Sequence, residues 1–181
     1  MKRTAAQTPL GRMILQNFSR PVDHFLPHGD YDWLILDPPY QRGSVWNLTQ
    51  RRALIETLLR SLPMGAVVVN KRTDCARYAV VDGRQRIETL RAFCADEFGV
   101  PAWWFENVDL PQDADLDADI TFSELSLAGQ RRLRSRTIAT VTARDLSVAE
   151  EAHLFVLLNT SGAGQGASTL ARARALSAER A

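Results

Sequence analysis

The stretch YAVVDGRQRIETLRAF, residues 78–93, decides the fold, because it predicts a strand, a tight turn and a helix in immediate succession. The strand is the β-branched run that ends at Asp82 and Gly83. Apolar residues of the following helix recur at helical spacing, at Ile87, Leu90, Phe93, Cys94 and Phe98. An earlier β-branched run, Ala66 to Asn70, predicts a strand that pairs with the first through a hairpin-like turn.

Further elements on both sides of this unit predict an α/β domain. We expect a helix that begins at an N-cap Thr49 and ends before Pro63. The remaining predicted strands and helices are a strand Trp33 to Leu36, an apolar run Val100 to Phe105, a basic helix Gln130 to Arg136 capped by Ser126, a strand Thr137 to Ala143, a helix from a Ser147 capping box to about Leu158, and a short helix Met13 to Phe18.

The composition is that of an ordinary globular chain, with 45% hydrophobic and 24% charged residues among 181. No run of about 18 apolar residues is present, so we expect no membrane contact and a cytoplasmic location, in a bacterial host cell if a phage encodes the protein. Three segments are expected: an N-terminal extension (1–31), the functional domain (32–162) and an Ala/Arg-rich tail (163–181) that is either helical or frayed.

The net charge of +1 conceals an uneven distribution of charge. Arginines cluster at 51–52, 84–91, 131–136 and 172–180, and acidic residues cluster at 106–119. Such clusters usually lie on solvated faces, but they also suit a nucleotide or nucleic acid. Two cysteines and three histidines without metal-ligand spacing argue against a zinc site. His153, inside a predicted helix, is interpreted as structural.

Two other patterns are weaker than they look. Acidic residues from Asp113 to Glu124 have the spacing of a calcium-binding loop, but Ala118 stands where the sharp turn needs glycine. The glycine-rich segment Gly162 to Ser168 has no Gly-Lys-Ser/Thr after it, which excludes a Walker-type phosphate loop.

The turn at Asp82-Gly83-Arg84-Gln85-Arg86 is the strongest candidate site. Unpaired amides and the positive end of the helix dipole favour an anion at a helix start, and guanidinium groups add donors that fit phosphate oxygens. Gly83 allows the ligand to approach the backbone. The alternative is that Asp82 caps the helix and the arginines pair with surface carboxylates.

Three ordered motifs resemble a known family. They are YQRGSVW (40–46), VVDGRQRIETL (80–90) and FVLLNTSG (155–162), and the resemblance covers about Asp32 to Gly162. The chain resembles the ParB-like N-terminal domain of GmrSD-type, modification-dependent restriction systems, whose central motif usually reads Asp-Gly-Gln-Gln-Arg. Arg84 replaces the first glutamine of that motif, and Ser161 replaces a glycine of the last motif.

The resemblance implies a ParB/sulfiredoxin-like fold, a small mixed sheet flanked by helices, with a nucleotide at the central motif. It makes Asp82 and Arg86 catalytic candidates, with Asp82 also a ligand for Mg²⁺. Phosphate or nucleotide contacts are expected from Gln41, Arg42, Gly83, Arg84, Gln85, Arg86, Asn159 and Thr160. For Asn159 and Thr160 a helix C-cap role is the equal alternative.

The resemblance leaves three functions open. The first is an enzyme that hydrolyses a nucleoside triphosphate (NTP) or transfers its phosphoryl group, with Mg²⁺, in phage defence, restriction or DNA modification. The second is a non-catalytic module that binds nucleotide or DNA as a switch. The third, a nuclease or nickase, is disfavoured because the chain has no His-Asn-His type motif. A homodimer held by the tail is left open.

Overall fold

The computed structural model describes residues 13–29, 31–41, 46–73, 75–160 and 175. The strands are β1 (Leu15–Pro21), β2 (Leu34–Ile35), β3 (Val67–Lys71), β4 (Tyr78–Asp82), β5 (Val100–Pro101), β6 (Asp119–Ile120) and β7 (Thr137–Arg144). The helices are α1 (Leu48–Leu59), α2 (Arg84–Cys94), α3 (Leu127–Ser135) and α4 (Val148–Thr160), with 3-10 turns at Val22–Phe25, Ala102–Trp104 and Asn107–Asp109.

The main sheet of the described residues has five strands in the order β1-β7-β3-β4-β2. The pairs β1–β7 and β3–β4 are antiparallel, and the pairs β3–β7 and β2–β4 are parallel. The predicted mixed sheet is therefore confirmed, as is the hairpin of β3 and β4. Strands β5 and β6 form a separate antiparallel pair.

The two faces of the sheet bury different helices, because side chains alternate along each strand. Val67, Val69 and Val80 point into a core that also contains apolar residues of α1, α2 and α3. Val68 and Val81 point to the opposite face, where they pack with α4. The sheet is therefore covered by helices on both sides. The β4–α2 turn lies at the carboxyl end of β4.

The first predicted helix, Met13 to Phe18, is wrong. Residues 15–21 form β1, which pairs with β7 along its whole length from Leu15 opposite Ala143 to Pro21 opposite Thr137. Backbone hydrogen bonds to a strand at the far end of the chain override the weak local pattern. The sheet thus begins before Asp32, and Val22 and Phe25 are fully buried in the core.

The caps of the helices are partly as predicted. Thr49 is not the N-cap of α1, because Asn47 accepts from the Gln50 amide at 3.0 Å and the Gln50 side chain accepts from the Asn47 amide. The Ser126 cap is confirmed, since its Oγ accepts from the Gly129 amide. The Ser147 capping box is confirmed by its two reciprocal bonds with Glu150.

Helix α4 continues to Thr160, so Asn159 and Thr160 lie within it. The helix thus runs two residues past its predicted end near Leu158. The segment 161–174, which contains Ser161 and Gly162 of the last motif, lies outside the described residues, as does most of the Ala/Arg-rich tail. No helix in the described part of the chain is long and apolar enough to cross a bilayer.

Candidate nucleotide site at the turn between β4 and α2

Gly83 is the N-cap of α2 and has a φ of 95°, in the left-handed region that favours glycine. A Cβ at this position would lie 3.0 Å from Val67 Cγ2 and 3.2 Å from the guanidinium of Arg86. Both the backbone angle and the packing therefore require glycine. A side chain here would meet Val67 and Arg86, and Gly83 itself is buried, so this glycine makes room for the packing of the protein itself.

The start of α2 has no side-chain cap. Its first backbone bond runs from the Ile87 amide to the Gly83 carbonyl at 3.1 Å, and the amides of residues 84–86 have no hydrogen bond to the described part of the chain. Such amides, together with the helix dipole, form a partial positive charge that attracts anions. The alternative in which Asp82 caps α2 is therefore wrong.

Arg86 is held by acceptors of the protein itself. Its Nη2 donates to Asp82 Oδ2 at 2.7 Å, and its Nη1 donates to the Met64 carbonyl at 2.8 Å. A Cβ at Gly65 would lie 2.5 Å from this Nη1, so Gly65 makes room for the contact. Arg86 thus braces the end of β4 against the loop that leads into β3.

Arg84 is bound at one nitrogen only. Its Nε donates to Glu88 Oε1 at 2.7 Å, one helical turn later, and neither terminal nitrogen bonds to a described residue. Gln85 is the second residue of α2, and its side-chain Oε1 is buried without a hydrogen-bond partner among the described residues. Two guanidinium nitrogens of Arg84 therefore have no acceptor among the described residues, and the bond to Glu88 holds this guanidinium one turn into α2.

Gln41 lies against the strand that carries the turn. Its Nε2 donates to the carbonyls of Val80 and Val81, at 2.8 and 2.7 Å. The structure therefore brings Gln41 next to Asp82, as the resemblance implies, but its amide nitrogen is already engaged. Arg42 lies outside the described residues.

Asn159 and Thr160 make bonds within their own helix. Asn159 Nδ2 donates to the Phe155 carbonyl at 2.8 Å, and Thr160 Oγ1 donates to the Leu157 carbonyl at 3.1 Å. Phe155 packs against the buried ring of Tyr40, with ring centroids 5.7 Å apart. Helix α4 therefore reaches the Tyr40–Gln41 segment, yet no hydrogen bond links Asn159 or Thr160 to the turn within the described residues.

Most arginines of the clusters at 51–52, 84–91 and 131–136 pair with carboxylates, as the alternative interpretation holds, whereas the arginines of the cluster at 172–180 lie outside the described residues. The pairs outside the turn are Arg51–Glu97, Arg52–Asp119, Arg60–Glu56, Arg72–Glu151, Arg91–Asp32, Arg132–Glu106 and Arg134–Asp23. Paired arginines present less charge to a polyanion. The described surface therefore favours a local anion site over an extended DNA-binding face.

One buried polar network was not predicted. Glu151 is fully buried in α4 and accepts hydrogen bonds from Tyr40, Asn70 and Arg72. Burial raises the pKa of Tyr40, and the nearby Glu151 charge raises it further, so this hydroxyl stays protonated and donates. The network lies on the α4 face of the sheet and fastens that helix.

A Mg²⁺ ion would find one carboxylate at the turn. Asp82 Oδ2 is bonded to Arg86, whereas Oδ1 has no hydrogen bond to a described residue. The described residues contain no group of three His, Cys, Asp or Glu that could hold a metal. Mg²⁺ commonly binds through one or two carboxylates together with the phosphates of a substrate, and Asp82 fits that arrangement.

The family model for the N-terminal domain of the GmrSD restriction endonuclease matches residues 24–175. The chain belongs to this family. The resemblance based on the three ordered motifs is thereby confirmed, and it places this GmrSD N-terminal domain in a restriction-related context. All of β1 precedes the matched region, although β1 is part of the sheet.

A search of solved structures finds a distant similarity to the C-terminally truncated chromosome-partitioning protein ParB from Caulobacter crescentus, complexed with CTP-gamma-S. The TM-score is 0.42 at 12% identity, over 83% of this GmrSD N-terminal domain and 56% of the ParB chain. This chain therefore spans little more than half of the ParB chain. No curated protein matches it.

Proposed function

We propose that this GmrSD N-terminal domain binds a nucleoside triphosphate, with the phosphates held at the β4–α2 turn. The observation that carries the proposal is the combination of open amides at the start of α2 with the two unengaged guanidinium nitrogens of Arg84. A helix N-terminus preceded by a left-handed glycine is a common phosphate-binding arrangement. Family membership supports a role connected with DNA restriction.

Within this proposal, Arg84 and Arg86 have different roles. Arg84 contacts the phosphates, because its terminal nitrogens have no protein acceptor in the described residues. Arg86 holds the turn in shape through Asp82 and Met64, and it would contact a phosphate only by exchanging one of those bonds. Gln41 positions its loop against β4 and serves the site through that contact.

Hydrolysis or phosphoryl transfer is the proposed activity of the same site. Asp82 Oδ1 is the acceptor at the turn that would orient a water molecule or another hydroxyl group, or a Mg²⁺ ion that arrives with the nucleotide. Phosphoryl transfer depends chiefly on positioning and charge stabilisation, which this small set of donors would supply. A module that binds nucleotide without turnover is the second candidate, favoured by the engagement of Asp82 with Arg86.

The test is calorimetric titration of the full chain with CTP, ATP, GTP and UTP, each with Mg²⁺, together with measurement of released phosphate. R84Q should weaken binding of the preferred nucleotide about 10- to 100-fold, the loss expected for charge-assisted hydrogen bonds. R60Q is the matched control, because Arg60 Nε also bonds a glutamate one turn away, Glu56, at 2.8 Å. This control should bind like the wild type.

D82N separates the two candidates. If the wild type releases phosphate and D82N binds the nucleotide but does not release phosphate, the protein is an enzyme. If the wild type binds the nucleotide without releasing phosphate, the protein is the non-catalytic module. The proposal fails if no triphosphate binds, or if R84Q and R60Q bind equally well. Because Asp82 also bonds Arg86, the melting temperature of D82N is measured alongside, to show that the variant is folded.

A further inference from the structure

A cavity lies near the turn, between the ends of α1 and α3 and the start of β7. Its volume is about 460 Å³. Leu58, Leu62 and Met64 form an apolar wall, and Ser61, Ser135 and Arg136 supply polar groups. No carboxylate is among the residues that line it. The cavity is separate from the turn. Met64 connects the two, because it lines the cavity and its carbonyl accepts a hydrogen bond from Arg86.

Arg136 has no ion pair within the described residues, in contrast to Arg132 and Arg134 of the same cluster. Arg132 pairs with Glu106 and Asp109, and Arg134 lies 3.8 Å from Asp23. Arg136 Nη1 donates to the Ser61 hydroxyl, while its Nε is buried and has no hydrogen-bond partner. No carboxylate of the described residues lies within ion-pair distance of this guanidinium, although its charge helps to lower the pKa of the exposed Glu106, so an anion in the cavity would be its direct counter-ion.

Ser61 has a backbone conformation that glycine would satisfy better. It follows the end of α1 with a φ of 56°, in the left-handed region. The Leu62 amide bonds the Thr57 carbonyl and the Ser61 amide bonds the Leu58 carbonyl, both at 3.0 Å, which is the Schellman motif. Glycine is the usual residue at this position, so a serine here is strained. The hydroxyl that it contributes is the one that contacts Arg136.

We propose that this cavity is a second anion site, which binds a phosphate group at Arg136. With Nη1 held by Ser61 and Nε buried, Nη2 is the guanidinium nitrogen that remains to donate to a phosphate oxygen. The Ser61 hydroxyl fixes the guanidinium plane, and the apolar wall accommodates the organic part of a phosphate ester. The phosphate comes from either a small metabolite or a nucleic-acid backbone. The site does not depend on nucleotide binding at the β4–α2 turn.

The experiment follows the Nε–Hε signal of Arg136 by NMR during titration with inorganic phosphate at constant ionic strength. The full chain carries R84Q, which removes the proposed phosphate contact at the turn, so failure of either site is seen separately. The Arg136 signal, assigned by its loss in R136K, should shift and saturate. Chloride at the same ionic strength should leave it unmoved. A signal that does not move, or moves equally with chloride, overturns the proposal.

Three variants then test the roles of the residues, with calorimetry as the measure of phosphate binding. R136Q should weaken binding roughly tenfold or more, the loss of a charge-assisted contact, while R134Q should leave it unchanged. S61G should raise the melting temperature by about 2 to 4 °C, since strain is relieved, and yet weaken phosphate binding several-fold. A purely structural serine would give no loss of binding, and that result would also contradict the proposal.

The source of the phosphate is identified with two probes, glycerol 3-phosphate and a short DNA duplex. The probe that shifts the Arg136 signal at the lower concentration of phosphate groups represents the ligand. If the duplex is the better probe, its affinity should fall steeply with salt, as counterion release requires. If neither probe shifts the signal, the site is not a phosphate site.

Discussion

Glu151 in the first turn of α4 accepts two hydrogen bonds from the guanidinium of Arg72, which directly follows β3, at 2.9 Å from Nε and 2.6 Å from Nη2. Asn70 donates to the same carboxylate at 2.7 Å, and the Tyr40 hydroxyl donates at 3.2 Å. The carboxylate is fully buried. The Glu151 side chain therefore joins α4 to the end of β3 and to the segment around Tyr40.

We expect E151Q to destabilise the fold by about 3 kcal/mol, because it removes the fully buried carboxylate that accepts from Arg72, Asn70 and Tyr40. The free energy of unfolding is measured with urea. E97Q is the control, since Glu97 is 60% exposed and 3.9 Å from Arg51, where an ion pair contributes less than about 1 kcal/mol. Equal losses in the two variants would show that the Glu151 network contributes no more than a surface pair.

Replacement of Gly83 by alanine should cost about 2 to 3 kcal/mol. The left-handed backbone alone costs roughly 1–2 kcal/mol for a residue with a Cβ, and the new Cβ would lie 3.0 Å from Val67 Cγ2. G29A isolates the backbone effect, because Gly29 has a φ of 61° and nothing within 4 Å of an added Cβ. Thermal unfolding should show a clearly larger loss for G83A than for G29A.

The stability of the protein should decrease in acid partly through Asp32. Burial opposes its charge, but hydrogen bonds from Arg91 and from the Leu34 amide lower the pKa of this carboxyl below the usual 3.8. A lowered folded-state pKa gives stability that is present above pH 3.8 and is lost as the pH falls through the folded value.

D32N removes that dependence, so its unfolding free energy should fall less steeply below pH 3.8 than that of the wild type. Urea titrations between neutral and acid pH measure it. D23N is the control, because the Asp23 carboxylate is 52% exposed and 3.8 Å from Arg134. Parallel acid profiles for D32N and the wild type would refute the assignment.

Cys94 should react slowly with iodoacetamide. Burial raises the pKa of its thiol to about 11, although Arg134 opposes the rise, so at pH 8 about one molecule in a thousand carries the reactive thiolate. In urea the pKa should return to about 9.0, and alkylation should be about 100-fold faster. Mass spectrometry of a C75S variant follows this cysteine alone. Similar rates in the native and denatured protein would contradict the burial of Cys94.

The β4–α2 unit could be predicted from the sequence because its signals are local. A β-branched run, a glycine at the turn and helical spacing from Ile87 onwards all lie within a short stretch. The acceptors of Arg86 were not predictable in the same way. The Met64 carbonyl is 22 residues away and is reached only after β3 and β4 have paired.

Glu151 was missed, although the sequence carries a sign of its burial. It lies four residues before Phe155, on the apolar face of α4, where a charged side chain is unexpected. Its partners are far away in the sequence: Asn70 lies in β3, Arg72 directly follows it, and Tyr40 precedes α1. Their identity therefore depends on the tertiary fold. Ser61 likewise looks like an ordinary helix-end residue until the sign of its φ is known.

The pairing of β1 with β7 has a practical consequence for expression and for synthesis on the ribosome. Gln16 and Arg144, whose side chains are hydrogen-bonded across this pair, are 128 residues apart, so β1 has no partner until nearly the whole domain has been translated. A recombinant fragment trimmed to residues 24–175, the part recognised by the family model, would leave the β7 edge uncovered. Such an edge invites aggregation, so soluble fragments should retain residues 13–23.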